Sequence, residues 1–342
     1  MYEVAVIGCG VIGLTSALAI QKRLGNNARV TIFTKDTSPN TTGDIAAGYW
    51  KPYLLGDTPP EKIREWAKAT YDYALGLWKQ GKANEAGVSL QVSHCVSDKE
   101  KLETPDWVDI VLSFSKLSPE YLEKLSKLTN RKLVSGYEFV SVVWEASIFL
   151  PYLEQDFLRN GGRIILGEIK NFDELRDFDV IVNCAGLDAR KLTGDTKLRP
   201  YRGQVARVAA PWQFYTISIK SDHDTSCYVI PNRDCVILGG TSQEVYDTKV
   251  DEVDKENIFR NCFELVPALA TAPVIKHQVG LRPGRERVRL ETEIKSGNDL
   301  IRIVHNYGHG GAGITLSIGC AEDCAKLVQE ILEEIPARRS KL

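Results

Sequence analysis

The chain has 342 residues, 43% hydrophobic and 26% charged, the balance of a folded globular protein, which excludes disordered and fibrous architectures. Its 43 basic and 45 acidic residues leave a formal net charge of −2, so the basic footprint of a nucleic-acid binder or an anionic-membrane binder is missing. No run approaches the roughly 18 apolar residues of a membrane helix.

The amino end enters a strand-like run directly, without the basic region of a secretory signal. Residues 3–7 read as a buried strand, 12–24 as an apolar helix and 29–33 as a second strand. This βαβ opening predicts a parallel sheet with a right-handed crossover. Residues 34–60, rich in Thr, Pro, Gly and Asp, read as an extended loop, and 63–80 show helical spacing through Trp66, Tyr71, Ala74 and Trp78. Residues 85–146 mix short strands with a charged helix near 118–128. A helix over 147–159, a returning strand over 163–166 and a buried strand over 179–183 follow. Runs at 205–208, 228–230 and 235–238 predict an antiparallel sheet. Beyond them come a helix near 255–265, strands near 286–291 and 300–304, and a helix over 313–334 that opens on a glycine-rich turn.

The fold class expected is α/β: a Rossmann-like parallel-sheet domain over 1–55, 150–204 and 276–338 is interleaved with a substrate domain on an antiparallel sheet over 56–149 and 205–275. About two domains suit a chain of this length. Residues 339–342 form a tail, and its Ser340-Lys341-Leu342 reads as a peroxisomal address recognised by an import receptor, which places the protein in the peroxisomal matrix. The eight cysteines are scattered without a CxxC and read as reduced, mostly buried thiols. Cys227 and Cys235 flank a predicted hairpin, where a cross-strand pair stays open. Cys320 and Cys324 share a helix face without evident His or acid partners, so no metal site is expected.

Gly8-Cys9-Gly10-Val11-Ile12-Gly13 fits G-x-G-x-x-G between a strand and a helix, the context in which the pattern binds a dinucleotide. Gly8 permits the tight turn, Gly10 lets backbone approach a pyrophosphate, and Gly13 lets helix and strand pack closely. The acid that would hold a ribose hydroxyl is expected at the end of the second strand. Lys35 stands there, with Asp36 one step later. This loop alone does not separate NAD, NADP and FAD.

Four further segments carry a resemblance: Thr41-Thr42-Gly43-Asp44-Ile45-Ala46-Ala47-Gly48, Val182-Asn183-Cys184-Ala185-Gly186, Gly280-Leu281-Arg282-Pro283, and Asn306-Tyr307-Gly308-His309-Gly310-Gly311. In this order they resemble the FAD-dependent D-amino-acid oxidase family, nearly end to end. Leu192 to Lys197, Arg202-Gly203-Gln204-Val205 and Val279 to Pro283 are similar to its D-aspartate branch. Tyr53 and Ser242, in contrast, stand where that branch carries histidine and arginine.

The resemblance implies FAD with its diphosphate on the loop that includes Val11 and Ile12. Thr41, Thr42, Gly43, Ala47, Gly48 and Gly186 would line it, and Gly308, Gly310, Gly311, Gly313, Ile314 and Thr315 would face the flavin. Bare N–H groups and a helix start can there stabilise an electron-rich carbonyl. Arg282 matches the carboxylate-binding arginine, a role that needs a planar two-donor fork. Tyr228 matches the tyrosine that helps hold the same carboxylate, and Gly311 the glycine whose carbonyl accepts from the substrate amine. A second, mobile tyrosine of the neutral-type members has no counterpart between Ser221 and Cys227.

The implied reaction is hydride transfer from a neutral amine to FAD. Dioxygen then reoxidises the cofactor to give hydrogen peroxide, and the imino acid hydrolyses to a 2-oxo acid and ammonia. No general base is needed, and His305 and His309 read as structural. An acidic substrate also needs a distal cation, because a buried unpaired charge is very costly. Lys51 is the first candidate, Lys220 the second, and Tyr53 lies in the same pocket segment. The expected partners are therefore a small-molecule substrate and dioxygen, with no nucleic acid and no membrane; a homo-oligomer stays open. Two other readings are an oxidase of neutral D-amino acids, glycine or sarcosine, and a non-catalytic or NAD-binding module of the same fold.

Overall fold

The structure, a computed structural model, describes residues 1–220, 227–295 and 300–335. The tail Ser340-Lys341-Leu342 and residues 221–226 of the tyrosine-free stretch lie outside the described residues.

The strands are β1 (Tyr2–Ile7), β2 (Ala28–Thr34), β3 (Val88–Ser97), β4 (Phe114–Lys116), β5 (Ser135–Trp144), β6 (Arg163–Leu166) and β7 (Val180–Asn183). They continue with β8 (Arg199–Val208), β9 (Thr216–Lys220), β10 (Cys227–Pro231), β11 (Val236–Gly239), β12 (Val274–Lys295) and β13 (Ile301–His309). All join one sheet in the order β4-β5-β3-β9-β10-β11-β8-β12-β13-β7-β1-β2-β6. From β13 to β6 the pairing is parallel. From β13 through β12, β8, β11 and β10 to β9 it is antiparallel, and β3 returns parallel to β9 while pairing antiparallel with β5.

The parallel end forms for the reason its sequence suggests. Every residue of β7 and the last four of β1 are buried, as in strands covered on both faces, whose sequences run apolar without alternation. Helix Val11–Leu24 follows β1, and Lys22 and Arg23 in its last turn suit the negative end of its dipole. It packs beside helix Gly313–Glu333, which in turn crosses helix Pro60–Lys79. At that crossing a methyl group on Gly319 would overlap the backbone of Trp66, so the two helices meet backbone to backbone. Thr15 Oγ1 donates across the other helix pair to Ser317 O at 3.2 Å.

Two differences from the sequence expectation matter for the site. The strands within 85–146 are long: β3 and β5 each span ten residues and pair along their whole length. The strand expected over 286–291 is part of β12, 22 residues long, which pairs with β8 over 274–284 and with β13 from Gly284 to Lys295. Pro283 and Gly284 mask it, because both are ordinarily strand punctuation. In the ladder Pro283 faces Pro200, two residues that both lack an N–H. A bulge between Gly284 and Arg289 marks the change of partner.

The β10–β11 hairpin pairs Tyr228 with Gly239 and Pro231 with Val236, so Cys227 and Cys235 do not face each other. Cys227 Sγ lies 3.5 Å from Cys262 Sγ instead, and all eight cysteines are free thiols. Among the described residues no helix is long and apolar enough to cross a membrane.

Candidate active site

A cavity of about 1010 Å³ runs from the ends of β1 and β2 to the faces of β3, β9 and β10. Its first section is built on the Gly8–Gly13 loop. Gly8 has φ +103°, and a Cβ there would stand 2.5 Å from Cys184 O. A methyl group on Gly13 would overlap Gly8 O, whereas Gly10 faces open space. Gly8, Gly10, Val11 and Ile12 line the cavity and Gly13 packs behind them. Helix Val11–Leu24 has neither a side-chain cap nor an acid in its first turn, so its leading N–H groups and dipole are left for an anion.

Lys35 and Asp36 line the cavity just past the end of β2. The Lys35 ammonium is paired with Asp188, whose other oxygen lies 3.0 Å from Lys191 Nζ. Burial opposes ionisation of Asp188, but the two lysines outweigh it and hold the carboxyl below its usual range. Asp188, two residues after the cavity-lining Gly186, belongs to no motif, and only its position past β7 hinted at it.

Thr41, Thr42, Gly43, Ala47 and Gly48 form the next wall. A capping box orders this segment: Thr41 N and Oγ1 donate to Asp44 Oδ2 at 2.9 and 2.7 Å, and Ser38 Oγ donates to Asp44 Oδ1 at 2.6 Å. Gly48, at φ +72°, lets the chain press against Trp144, whose N donates to Gly48 O at 2.8 Å. Facing it are Gly308, Gly310, Gly311, Gly313, Ile314 and Thr315. Helix Gly313–Glu333 also starts without a side-chain cap or a first-turn acid.

Among the buried atoms of lining residues without a hydrogen-bond partner in the described residues are Asn306 Oδ1 and His309 Nε2. Buried polar atoms are seldom left so, and an occupant of the cavity would complete them. Burial pushes His309 down to about 3 and His305 down to about 4. His305 lies outside the cavity lining, between Asn183 and Glu293. Both are therefore neutral imidazoles at neutral pH.

At the other end stand Tyr228, Arg282, Gly311, Lys51, Tyr53 and Lys220, all in the lining. Arg282 Nη1 donates to Thr241 O at 2.9 Å, and its guanidinium lies so close over Gly203 that a methyl group there would overlap it. The Tyr228 ring covers Gly239 in the same way, with its hydroxyl over Gly240. Burial raises the Tyr228 phenol, against the pull of the Arg282 guanidinium, so the hydroxyl remains a donor. Tyr53 packs on Gly311. Lys51 is half-buried with Nζ 3.5 Å from Cys95 Sγ. Lys220 is exposed at the rim, 2.7 Å from Glu100 Oε1. Gly239, Thr241 and Cys95 escaped the sequence reading because each reaches the site from a separate strand or loop with no motif around it, and Gly203, though inside the Arg202-Gly203-Gln204-Val205 pattern, carried no site role there.

The lining is polarised. Its only acids among the described residues are Asp36, Glu168 and Asp188, all on the segments that follow β2, β6 and β7. The opposite end holds Arg282 and Lys51, half-buried cations with no carboxylate partner among the described residues. The elongated cavity, its anion-binding loop and its two uncapped helix starts fit an extended dinucleotide bearing a ring system, with room beyond the ring for a small anion.

A family model described as "DAO: FAD dependent oxidoreductase" matches residues 3–327. The chain is 37% identical to a D-amino acid oxidase of Dugesia ryukyuensis, covering 96% of this chain and 98% of that protein. It is 35% identical to the D-aspartate oxidase of Homo sapiens, with 99% of each chain covered. Among solved structures, a glycine oxidase from Geobacillus kaustophilus shares the fold with a TM-score of 0.76 at 17% identity, covering 99% of this chain and 96% of that one.

Proposed function

Because this chain belongs to the FAD-dependent D-amino-acid oxidase family, we propose that it oxidises acidic D-amino acids, D-aspartate foremost and D-glutamate second. The products would be the 2-oxo acid, ammonia and hydrogen peroxide. The observation behind the acidic preference is the pair of half-buried cations, Arg282 and Lys51, that share one end of the cavity with no acid in its lining among the described residues. A monocarboxylate satisfies one of them; a dicarboxylate satisfies both.

When bound, FAD supplies the two-electron acceptor and the path of those electrons to dioxygen. The chain's own residues bind and orient. Arg282 offers its planar fork to the α-carboxylate, and the protonated Tyr228 hydroxyl beside it donates to the same group. Gly311 presents its carbonyl to the amine, and Lys51 meets the distal carboxylate. Attachment at three points leaves the α-hydrogen of only one enantiomer facing the ring. Among the described residues no lining carboxylate or charged histidine stands at this end: His309 is held neutral by burial, and the lining acids are at the far end. The substrate amine therefore gives its proton to solvent before the reaction.

The neutral-substrate reading has one observation in its favour: Lys220 is exposed and paired with Glu100, which leaves Lys51 as the one unpaired distal cation among the described residues. A peroxide-coupled assay over D-aspartate, D-glutamate, D-alanine, glycine and L-aspartate separates the readings. We expect kcat/KM to be highest for D-aspartate. Lys51→Ala should raise the D-aspartate KM by about tenfold or more, the effect of losing a charge-assisted bond of roughly 1.5–3 kcal/mol, while D-alanine changes little. Higher kcat/KM for D-alanine in the wild type would overturn the acidic assignment.

A further inference from the structure

An anion site built on a lysine gains from whatever fixes the ammonium beforehand, because the side chain is long and flexible. Lys51 is held at both ends. Its neighbour Trp50 is fully buried, with N donating to Val142 O at 2.9 Å and Nε1 to Ala67 O at 3.0 Å. Lys51 N itself donates to Thr315 Oγ1 at 3.2 Å. At the other end Nζ lies 3.5 Å from Sγ of the buried Cys95, which also accepts from Ser218 Oγ at 3.3 Å.

The register explains the gathering. Cys95 of β3 stands opposite Tyr137 of β5 in one ladder and opposite Ser218 of β9 in the other. Residues paired in this way share a face of the sheet, and all three line the cavity with Lys51. The Tyr137 hydroxyl lies beside the sulfur, and burial keeps it protonated by raising its pKa.

We infer that Cys95 is a positioning residue for the distal end of the substrate, its sulfur orienting the Lys51 ammonium while Tyr137, Cys95 and Ser218 form the floor of a carboxylate socket. The inference rests on the acidic-substrate reading. A thiol sulfur is a weak, uncharged acceptor, so it directs the ammonium without cancelling its charge. A carboxylate in the same place would close an ion pair with Lys51 and leave nothing for the ligand. The Ser218 hydroxyl gives its one proton to the sulfur and holds it in place, and the Tyr137 hydroxyl adds a neutral polar group to the same floor.

The test uses the FAD-loaded enzyme and its Cys95→Asp, Cys95→Ser and Cys95→Ala variants. Steady-state kinetics are measured with D-aspartate and D-alanine, and competitive inhibition with succinate and with propionate. Cys95→Asp should raise the D-aspartate KM and the succinate Ki by about tenfold or more. D-Alanine KM, kcat, propionate Ki and the flavin spectrum should stay within about twofold. Cys95→Ser, which keeps a small neutral acceptor, should behave nearly as wild type. Equal effects on both substrates, or no effect on either, would overturn the inference. If Cys95→Asp does not fold, Cys95→Ala decides: a succinate Ki raised about threefold with propionate unchanged supports the socket, and an unchanged succinate Ki refutes it. Lys51→Ala raising the D-aspartate KM while all Cys95 variants leave it alone removes only the role of Cys95. Failure of Lys51→Ala, with D-alanine preferred, removes the acidic reading itself.

Discussion

Gly203 and Gly239 show how much of this site is made by side chains that are absent. Each lies on a strand, β8 and β11, under a residue assigned to the substrate carboxylate: Gly203 under Arg282, Gly239 under Tyr228. The consequences of filling them differ. The guanidinium is the far end of a flexible side chain, so Gly203→Ala should leave the fold and the flavin spectrum intact while moving the fork. Loss of that alignment should raise KM for acidic and neutral D-amino acids alike by about tenfold or more, a penalty of about 1.4 kcal/mol. Steady-state kinetics on D-aspartate and D-alanine check it, and a selective effect on one substrate would contradict it. The motif around Arg282 was readable in the sequence; the bare Cα beneath it was not, because the β8–β12 register that brings Gly203 beside Gly280 and Arg282 opposite Tyr201 is a long-range fact.

At the level of elements, the βαβ opening and the final helix were legible because their apolar runs and glycine turns are local signals. The short helix Thr42–Ile45 inside the expected 34–60 loop was not, since four residues give no periodicity. Its stability comes from the capping box, in which Asp44 is buried and takes three hydrogen bonds. Asp44→Ala should cost about 1–2 kcal/mol of stability, as losing a cap does. Because Thr41, Thr42 and Gly43 belong to the cavity wall, it should also weaken FAD binding. Urea unfolding and titration of apoprotein with FAD, followed by flavin fluorescence, measure the two effects. An unchanged FAD affinity would separate the cap from the cofactor cradle. The length of β12 was hidden for a different reason: Gly280, Pro283 and Gly284 break every strand pattern, and only pairing on both edges holds them extended.

For the whole molecule, the buried histidines set an acid limit. His309 and His305 are held neutral, with pKa values lowered to about 3 and about 4, mainly by burial. For His305 the nearby Arg289 adds to the lowering and Glu293 opposes it. In the unfolded chain each would titrate near 6.5. A depressed folded pKa means that the unfolded state takes up protons the native state refuses. The stabilisation is thus complete above about pH 6.5 and drains away as pH falls toward 4 and then 3. The urea midpoint should fall steadily from pH 7 to pH 4.5, and a flat profile over that range would contradict the burial argument. The overall architecture, parallel and antiparallel pieces interrupting each other along the chain, could be seen from the order of the runs. Their fusion into one sheet could not, because edge-to-edge pairing leaves no local mark.

That fusion has a mechanical corollary. A single 22-residue span is stitched to β8 along one stretch and to β13 along the next, and Arg282 sits just before the changeover. Any swing that parted the nucleotide cradle from the substrate wall would have to unzip this seam. The spacing between guanidinium and cofactor bed is therefore rigid by construction, and admission and discharge of small molecules falls to the parts of the chain that lie off the sheet.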